Sequence, residues 1–108
     1  MKTKTIAVDL DATLAYYTEW ESPTKIGEPI PAMVKRVQGW LKEGHKVWIF
    51  TARMTEISTR EIVEKAIGDW TEKHVGVRLP ATSTKLYSFS EIWDDLARRV
   101  EPNTGREM

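Results

Sequence analysis

The 108-residue chain carries 16 basic and 16 acidic side chains, so its formal net charge is zero. That length supports one domain with one core. The charge balance removes any bulk electrostatic drive towards nucleic acid or an anionic membrane and leaves a local basic patch as the route to either. Absence of cysteine excludes disulfides, thiol catalysis and thiolate-bound zinc, and the histidines, His45 and His74, lie too far apart in sequence to suggest a His-rich zinc site.

The opening "MKTKTIAVDLD" reaches an acid after an apolar run too short for the core of a signal peptide. No stretch approaches the roughly 18 apolar residues of a membrane span. The expectation is a soluble, cytoplasmic protein with no membrane partner. Thr5 to Asp9 predicts a first strand, and Asp9 and Asp11 stand at its tip, separated by Leu10. Residues i and i+2 of an extended chain point to the same side. Two carboxylates so placed repel each other and are expensive to desolvate unless a cation or a shared proton offsets them.

Next comes "ATLAYYTEWESPTKIGEPIP" (12–31), whose Pro, Gly, Ser and aromatic content predicts an irregular excursion. "AMVKRVQGWLKEG" (32–44) places Met33, Val34, Val37, Trp40 and Leu41 on one helical face, introduced by Pro31 and closed by Gly44. "KVWIFT" (46–51) is a continuous apolar run, which predicts a strand buried on both faces of a parallel sheet. A second helix is expected from the "STRE" segment, with Ser58 and Glu61 as a capping box and Ile62, Val63, Ala66, Ile67 and Trp70 facing the core. Gly76 is its stop. "VRLPATST" (77–84) predicts a short third strand, "FSEIWDD" (89–95) a fourth that again ends in acids, and "ARRVEPNTG" (97–105) a short edge strand. This alternation argues for a three-layer α/β fold around a mostly parallel sheet.

In such sheets ligands bind beyond the carboxyl ends of the strands. Asp9, Asp11, Thr51, Asp94 and Asp95 each fall where an apolar run stops, so they form one candidate site. Carboxylates without Cys or His nearby favour a hard cation, Mg²⁺ above all, whose shell is commonly completed by water and a phosphate. A carboxylate can also attack phosphorus and carry the phosphoryl group. Asp9 suits that task, Asp11 the proton transfers, Thr51 a phosphoryl oxygen and Lys85 the charge of the transition state.

"VDLDATL" resembles the DxDx[TV] signature of the haloacid dehalogenase (HAD) superfamily of phosphohydrolases. "VWIFTAR" resembles its second motif, and "STKLYSFSEIWDD" its last two. The resemblance runs from residue 5 to 105. "DLDATLAYYTEW", "IGEPIPAMVKRV", "GHKVWIFTAR" and "WDDLARRVEPNTG" are similar to small HAD-like hydrolases of phages and bacteria. It implies a Rossmann-like HAD domain over 1–108 and a Mg²⁺-dependent phosphomonoesterase working through an aspartyl-phosphate. Asp9 would be the nucleophile, Asp11 the acid/base, Thr51 the phosphate binder and Lys85 the clamp. The metal would be held by Asp9, Asp94, Asp95 and the main-chain carbonyl of Asp11, and phosphate contacts would come from Leu10, Thr13, Thr51, Ala52, Arg53 and Lys85. Ala12 stands where the superfamily often has Gly, a change a turn should accept because it adds one methyl. Leu96 follows the acid pair where the small relatives often have Arg, and Lys85 precedes Asp94 more closely than in many members.

Plainer roles stand beside these. The two aspartates suit a solvated turn, Thr51 an ordinary strand end, Arg53 a pair with a surface acid, Lys85 a solvated loop, and Asp95 a helix N-cap or a residue behind the metal. The HAD superfamily places a flap or a cap insertion after the catalytic aspartates. Residues 15–30 are too few for a cap domain of their own, so a small flap carrying Tyr16, Tyr17 and Trp20 over an open site is expected. Those rings either pack the flap onto the body or stack on a nucleobase. The remaining tryptophans, Trp40, Trp48 and Trp70, are expected in the core, and both histidines at the surface. The partner expected is a phosphorylated substrate, with a nucleotide or polynucleotide end as one option. The alternative is a non-catalytic metal- or phosphate-binding module on the same scaffold. Oligomeric state is left open.

Overall fold

The structure is a computed structural model that describes residues 2–108. Strand β1 is Thr5–Val8, helix α1 Pro31–Lys42, strand β2 Lys46–Phe50, helix α2 Arg60–His74, strand β3 Ala81–Thr82 and strand β4 Glu91–Trp93. The four strands form one sheet in the order β3-β2-β1-β4, and every neighbouring pair is parallel. The α/β architecture and the parallel sheet expected from the alternating elements are therefore present.

Strand register decides which residues meet the helices. Ile6 pairs with Val47, and Val8 with Ile49 and Trp93, so these side chains share one face. Ile6, Val8, Val47 and Ile49 are buried in one cluster with Val37 of α1 and with Val63 and Ile67 of α2. Each such side chain contributes about 1.5–3 kcal/mol of transfer free energy. Trp93 packs on Trp40 of α1, ring centroids 5.2 Å apart. Both crossovers step along the sheet in one direction, and right-handed connections then put both helices on one face.

The other face departs from the three-layer expectation. It carries no helix among the described residues; the β3–β4 connection contributes Phe89, which packs edge-on against Phe50 at 5.7 Å. This explains why Trp48 and Phe50 are only half-buried, whereas Val47 and Ile49 are buried. The run "KVWIFT" has the apolar content of a doubly covered strand, but thin cover on one side leaves β2 with alternating burial.

Helix α1 follows its pattern. Pro31 opens it where a missing N–H costs nothing, and Gly44 closes it with φ +91°. The capping box of α2 does not form. Ser58 lies in a 3-10 turn, Ile57–Thr59, and the helix begins after it, with Thr59 at the N-cap making no side-chain bond. Ile62 accordingly faces solvent, while Thr71 and Gly68 join Val63, Ile67 and Trp70 inside. The "ARRVEPNTG" segment makes a single bridge, Val100 to Glu107, in place of an edge strand. His45 is buried rather than superficial, because its Nδ1 accepts the Lys4 amide at 3.0 Å at the foot of β1. His74 ends α2 half-buried against Trp70. None of the helices is long and apolar enough to cross a membrane, among the described residues.

Candidate functional site: a carboxylate cleft at the strand ends

A cavity of about 390 Å³ opens beyond the carboxyl ends of β1, β2 and β4. Its lining includes Asp9, Asp11, Thr51, Arg53, Asp95 and the flap ring Trp20. Each floor residue arrives by ending a strand. The Asp9 amide donates to the Trp93 carbonyl at 2.9 Å, continuing the β1–β4 ladder one step, and the Thr51 amide donates to Thr82 at 2.9 Å, continuing β2–β3. Beyond β1 the chain turns sharply, with the Leu10 carbonyl accepting from Leu14 and Ala15, both at 2.9 Å. Leu10 itself is fully buried, main chain included, and does not line the cleft. Ala12 takes φ +69°, a left-handed conformation suited to Gly. The turn accepts alanine, but under strain and not for free.

Asp9, Asp94 and Asp95 each offer a carboxylate oxygen, and these oxygens lie within 4.8 Å of one another. Thr13 ties the group together: its hydroxyl lies 3.3 Å from Asp9 Oδ2 and 3.1 Å from Asp95 Oδ1, and it accepts the Asp95 amide at 3.1 Å. It has one proton for two carboxylates, so the cluster keeps uncompensated negative charge. Burial first, and then the Asp94 and Asp95 carboxylates, push the Asp9 carboxyl up to about 7, with the Thr13 hydroxyl pulling the other way. An all-oxygen set of this kind suits a hard cation. The Asp94 side chain also accepts the Leu96 amide at 2.8 Å, which shapes the turn leaving β4. Neither Asp94 nor Asp95 caps a helix; Asp95 stands in the cluster itself.

Asp11 belongs to a different arrangement. Its Oδ2 accepts Arg53 Nε at 2.8 Å and its Oδ1 accepts Arg53 Nη2 at 2.9 Å, a bidentate pair. Its carboxylate is therefore not part of the metal-type cluster, which contains only the other three acids. Arg53 is 8% exposed. Its Nη1 donates to the flap carbonyls of Ser22 at 3.0 Å and Pro23 at 2.8 Å, and its guanidinium lies 4.9 Å from the Trp20 ring centroid. Arg53 therefore pairs with an acid, as its plainer role had it, but from a buried position in the cleft wall, and four of its five N–H donors are spent inside the protein. Thr51 is buried, and its hydroxyl accepts the Arg53 amide at 3.2 Å, starting the short turn Ala52–Met54.

Lys85 does not join the cleft. It is exposed in the β3–β4 connection and lines a separate groove with Phe89, Ser90 and Arg98. The flap, by contrast, lies where expected. Its base is pinned by Tyr16 N–H to Glu28 at 2.8 Å and Ile30 N–H to Leu14 at 2.8 Å. Trp70 Nε1 adds a bond to the Gly27 carbonyl at 3.0 Å. A Cβ on Gly27 would stand 2.0 Å from the Tyr16 carbonyl oxygen, so only glycine lets the two limbs approach. Tyr16 and Trp20 remain 62% and 54% exposed, and Trp20 and Tyr17 turn towards the cleft. The pairing of Asp11 with Arg53 is the feature that the sequence reading missed. The two are 42 positions apart, and no local pattern signals it.

These features define an α/β protein with a parallel sheet and a carboxylate-floored cleft at the carboxyl ends of its strands. The chain is similar in structure to a conserved protein from Bacteroides thetaiotaomicron, with a TM-score of 0.64 and 25% identity over 89% of this chain and 78% of that one. No protein-family model and no curated protein matches the sequence.

Proposed function

We propose that this protein is a HAD-type phosphomonoester hydrolase that uses Mg²⁺ and an aspartyl-phosphate at Asp9, on a core with a small flap and no cap domain. The observation that carries this reading is the three-carboxylate floor beneath an open cleft, with the Asp9 carboxyl pushed up to about 7 by burial and by its neighbours. A cation there offsets the repulsion and favours the ionised nucleophile. The motif order "VDLDATL", "VWIFTAR" and "EIWDD" supports the same reading.

In this mechanism an Asp9 oxygen attacks phosphorus and the bond to the leaving oxygen breaks. Asp11, which enters the cycle carrying a proton taken from solvent, gives it to that oxygen. Water then attacks the acyl phosphate, Asp11 takes the water's proton, and inorganic phosphate leaves as Asp9 is regenerated. Each Asp11 oxygen keeps a second lone pair for this shuttle while accepting from Arg53. Thr51 lines the cleft and would contact a phosphoryl oxygen. Asp9, Asp94 and Asp95 would hold the metal, which supplies charge neutralisation at the phosphoryl group. Lys85 is given no part, since it lines another groove. The open cleft and the Tyr17 and Trp20 rings at its wall suit a nucleotide or a polynucleotide phosphate end.

The test is phosphate release from p-nitrophenyl phosphate by wild type and Asp9→Asn, each with Mg²⁺ and with EDTA, followed by nucleotides and phosphorylated oligonucleotides. Turnover that needs both the metal and Asp9 is expected. If the folded, Mg²⁺-loaded wild type turns over none of these, the binding-module alternative takes the place of the enzyme; Asp11 held in a bidentate pair and Lys85 outside the cleft are what favour that alternative.

A further inference from the structure

We infer that Arg53 is a positioning residue that couples the flap to Asp11, so that the flap-down arrangement is also the one in which Asp11 is held in place. The argument starts from donor arithmetic. A guanidinium has five N–H donors in a rigid plane. Two go to the two oxygens of Asp11 and two to the carbonyls of Ser22 and Pro23, and one face of the plane lies against Trp20. The backbone of Arg53 is fixed as well, because its amide donates to the buried Thr51 hydroxyl. One buried cation therefore holds a side chain of the β1 turn and the tip of the flap at once. The fork is planar and stiff, so it cannot rotate towards one partner without misaligning the other.

The flap is built to need such a hold. Its base is fastened by main-chain bonds and by the Gly27–Tyr16 approach, but its tip carries half-exposed Trp20. Near the tip, Ile26 packs on the core and Arg53 supplies the polar bonds. Losing Arg53 leaves the Pro23 carbonyl to water and the Ser22 carbonyl with the Lys25 amide, at 3.3 Å, as its partner, which frees the tip from the body; it also frees Asp11 to sample other rotamers. A lysine keeps the charge but has no planar fork, so it holds one partner at a time.

Native-state trypsin cleavage at the Lys25–Ile26 bond reads flap opening, and cleavage after Lys65 in α2 reads global opening in the same samples. Arg53→Ala and Arg53→Lys should each speed the flap cut by about tenfold or more relative to the Lys65 cut in the same sample, the loss expected for hydrogen bonds to a charged group; the ratio removes the share of global destabilisation. Asp11→Asn should speed the flap cut too, and the Asp11→Asn, Arg53→Ala double variant should cut no faster than Arg53→Ala alone. An unchanged flap cut in Arg53→Lys, or single effects that multiply in the double variant, overturns the coupling. If Arg53→Ala does not fold, Arg53→Lys and Trp20→Ala carry the same comparison.

The consequence for turnover rests on the phosphatase reading: Arg53→Lys should lower kcat about tenfold with KM little changed, whereas a phosphate ligand would raise KM. Absence of turnover in every variant would remove the enzyme reading and leave the cleavage result standing on its own.

Discussion

The floor of the cleft and its flap-side wall are two residues apart in sequence and opposite in electrostatic design. On the floor, Asp9 faces Asp94 and Asp95 with one hydroxyl among them, and its carboxyl is pushed up to about 7. On the wall, Asp11 has both oxygens filled by Arg53, which also satisfies two flap carbonyls. The floor has charge left over; the wall is already neutralised. A cation or a proton completes the first, whereas Arg53 already supplies the counter-charge of the second. Two aspartates in one motif can therefore do unlike work without unlike chemistry of their own, because neighbours set the role.

The largest effect expected on this contrast is catalytic. On the proposed phosphatase reading, Asp9→Asn should lower phosphate release by about 10³-fold or more, with circular dichroism unchanged, since the substitution is isosteric and removes only charge. Turnover near wild type would displace Asp9 from the nucleophile's place.

Stability should separate the two carboxylates by sign. Asp11→Asn leaves a buried guanidinium without its anion and should cost about 2–3 kcal/mol in urea unfolding, less than a fully buried pair because Asp11 is partly exposed. Asp9→Asn in metal-free protein at pH 8 should stabilise or leave unfolding unaltered. Equal losses at both positions would erase the difference between floor and wall. Gly27→Ala tests the flap base, where a methyl 2.0 Å from a backbone oxygen forces the limbs apart; a loss of about 1–3 kcal/mol is expected.

A third contrast lies in pH and metal. The Asp9 carboxyl rises from 3.8 to about 7 on folding. A group raised in this way stabilises fully below its unfolded value and loses that contribution as pH climbs through 7. The Asp69 and Glu91 carboxyls are lowered by their hydrogen-bonded partners, Lys65 and Lys4 first, so they stay ionised between pH 5.5 and 8. Across that window, metal-free protein should lose stability from Asp9 as pH rises, and Asp9→Asn should flatten the slope. Mg²⁺ competes with the proton, so millimolar Mg²⁺ should raise Tm more at pH 8 than at pH 5.5. A metal effect that is equal at both pH values, or absent, would detach the cluster from cation binding.

The smallest effect concerns the turn that separates floor from wall. Ala12 sits at φ +69°. Glycine relieves that strain but gains freedom in the unfolded chain, so Ala12→Gly should stabilise by about 0.5 kcal/mol, measured as a small upward shift of the urea midpoint.

Much of the floor is legible in the sequence. Short apolar runs that stop at Asp9, Thr51 and Asp94 announce strand ends, and parallel crossovers bring such ends to one edge. Helix α1 was equally plain, because Pro31, Gly44 and the spacing of Val37 and Leu41 are local signals that agree. Other expectations gave way to packing. Ser58 had a capping pattern, yet the chain spends it in a 3-10 turn before α2. His45 looked superficial, but the Lys4 amide required an acceptor there. Lys85 had a suitable position in the motif order, and the β3–β4 connection carries it to another groove.

Sequence alone determined the parallel α/β plan and the convergence of Asp9, Asp94 and Asp95, because periodicity, strand-ending polar residues and crossover handedness are rules of local geometry and topology. Tertiary structure decided that, among the described residues, one face of the sheet carries the helices, that Asp11 is held by Arg53, and that Arg53 grips the flap through Ser22, Pro23 and Trp20. Those outcomes depend on which side chains meet across tens of residues, and a bidentate ion pair leaves no periodic trace in the chain that makes it.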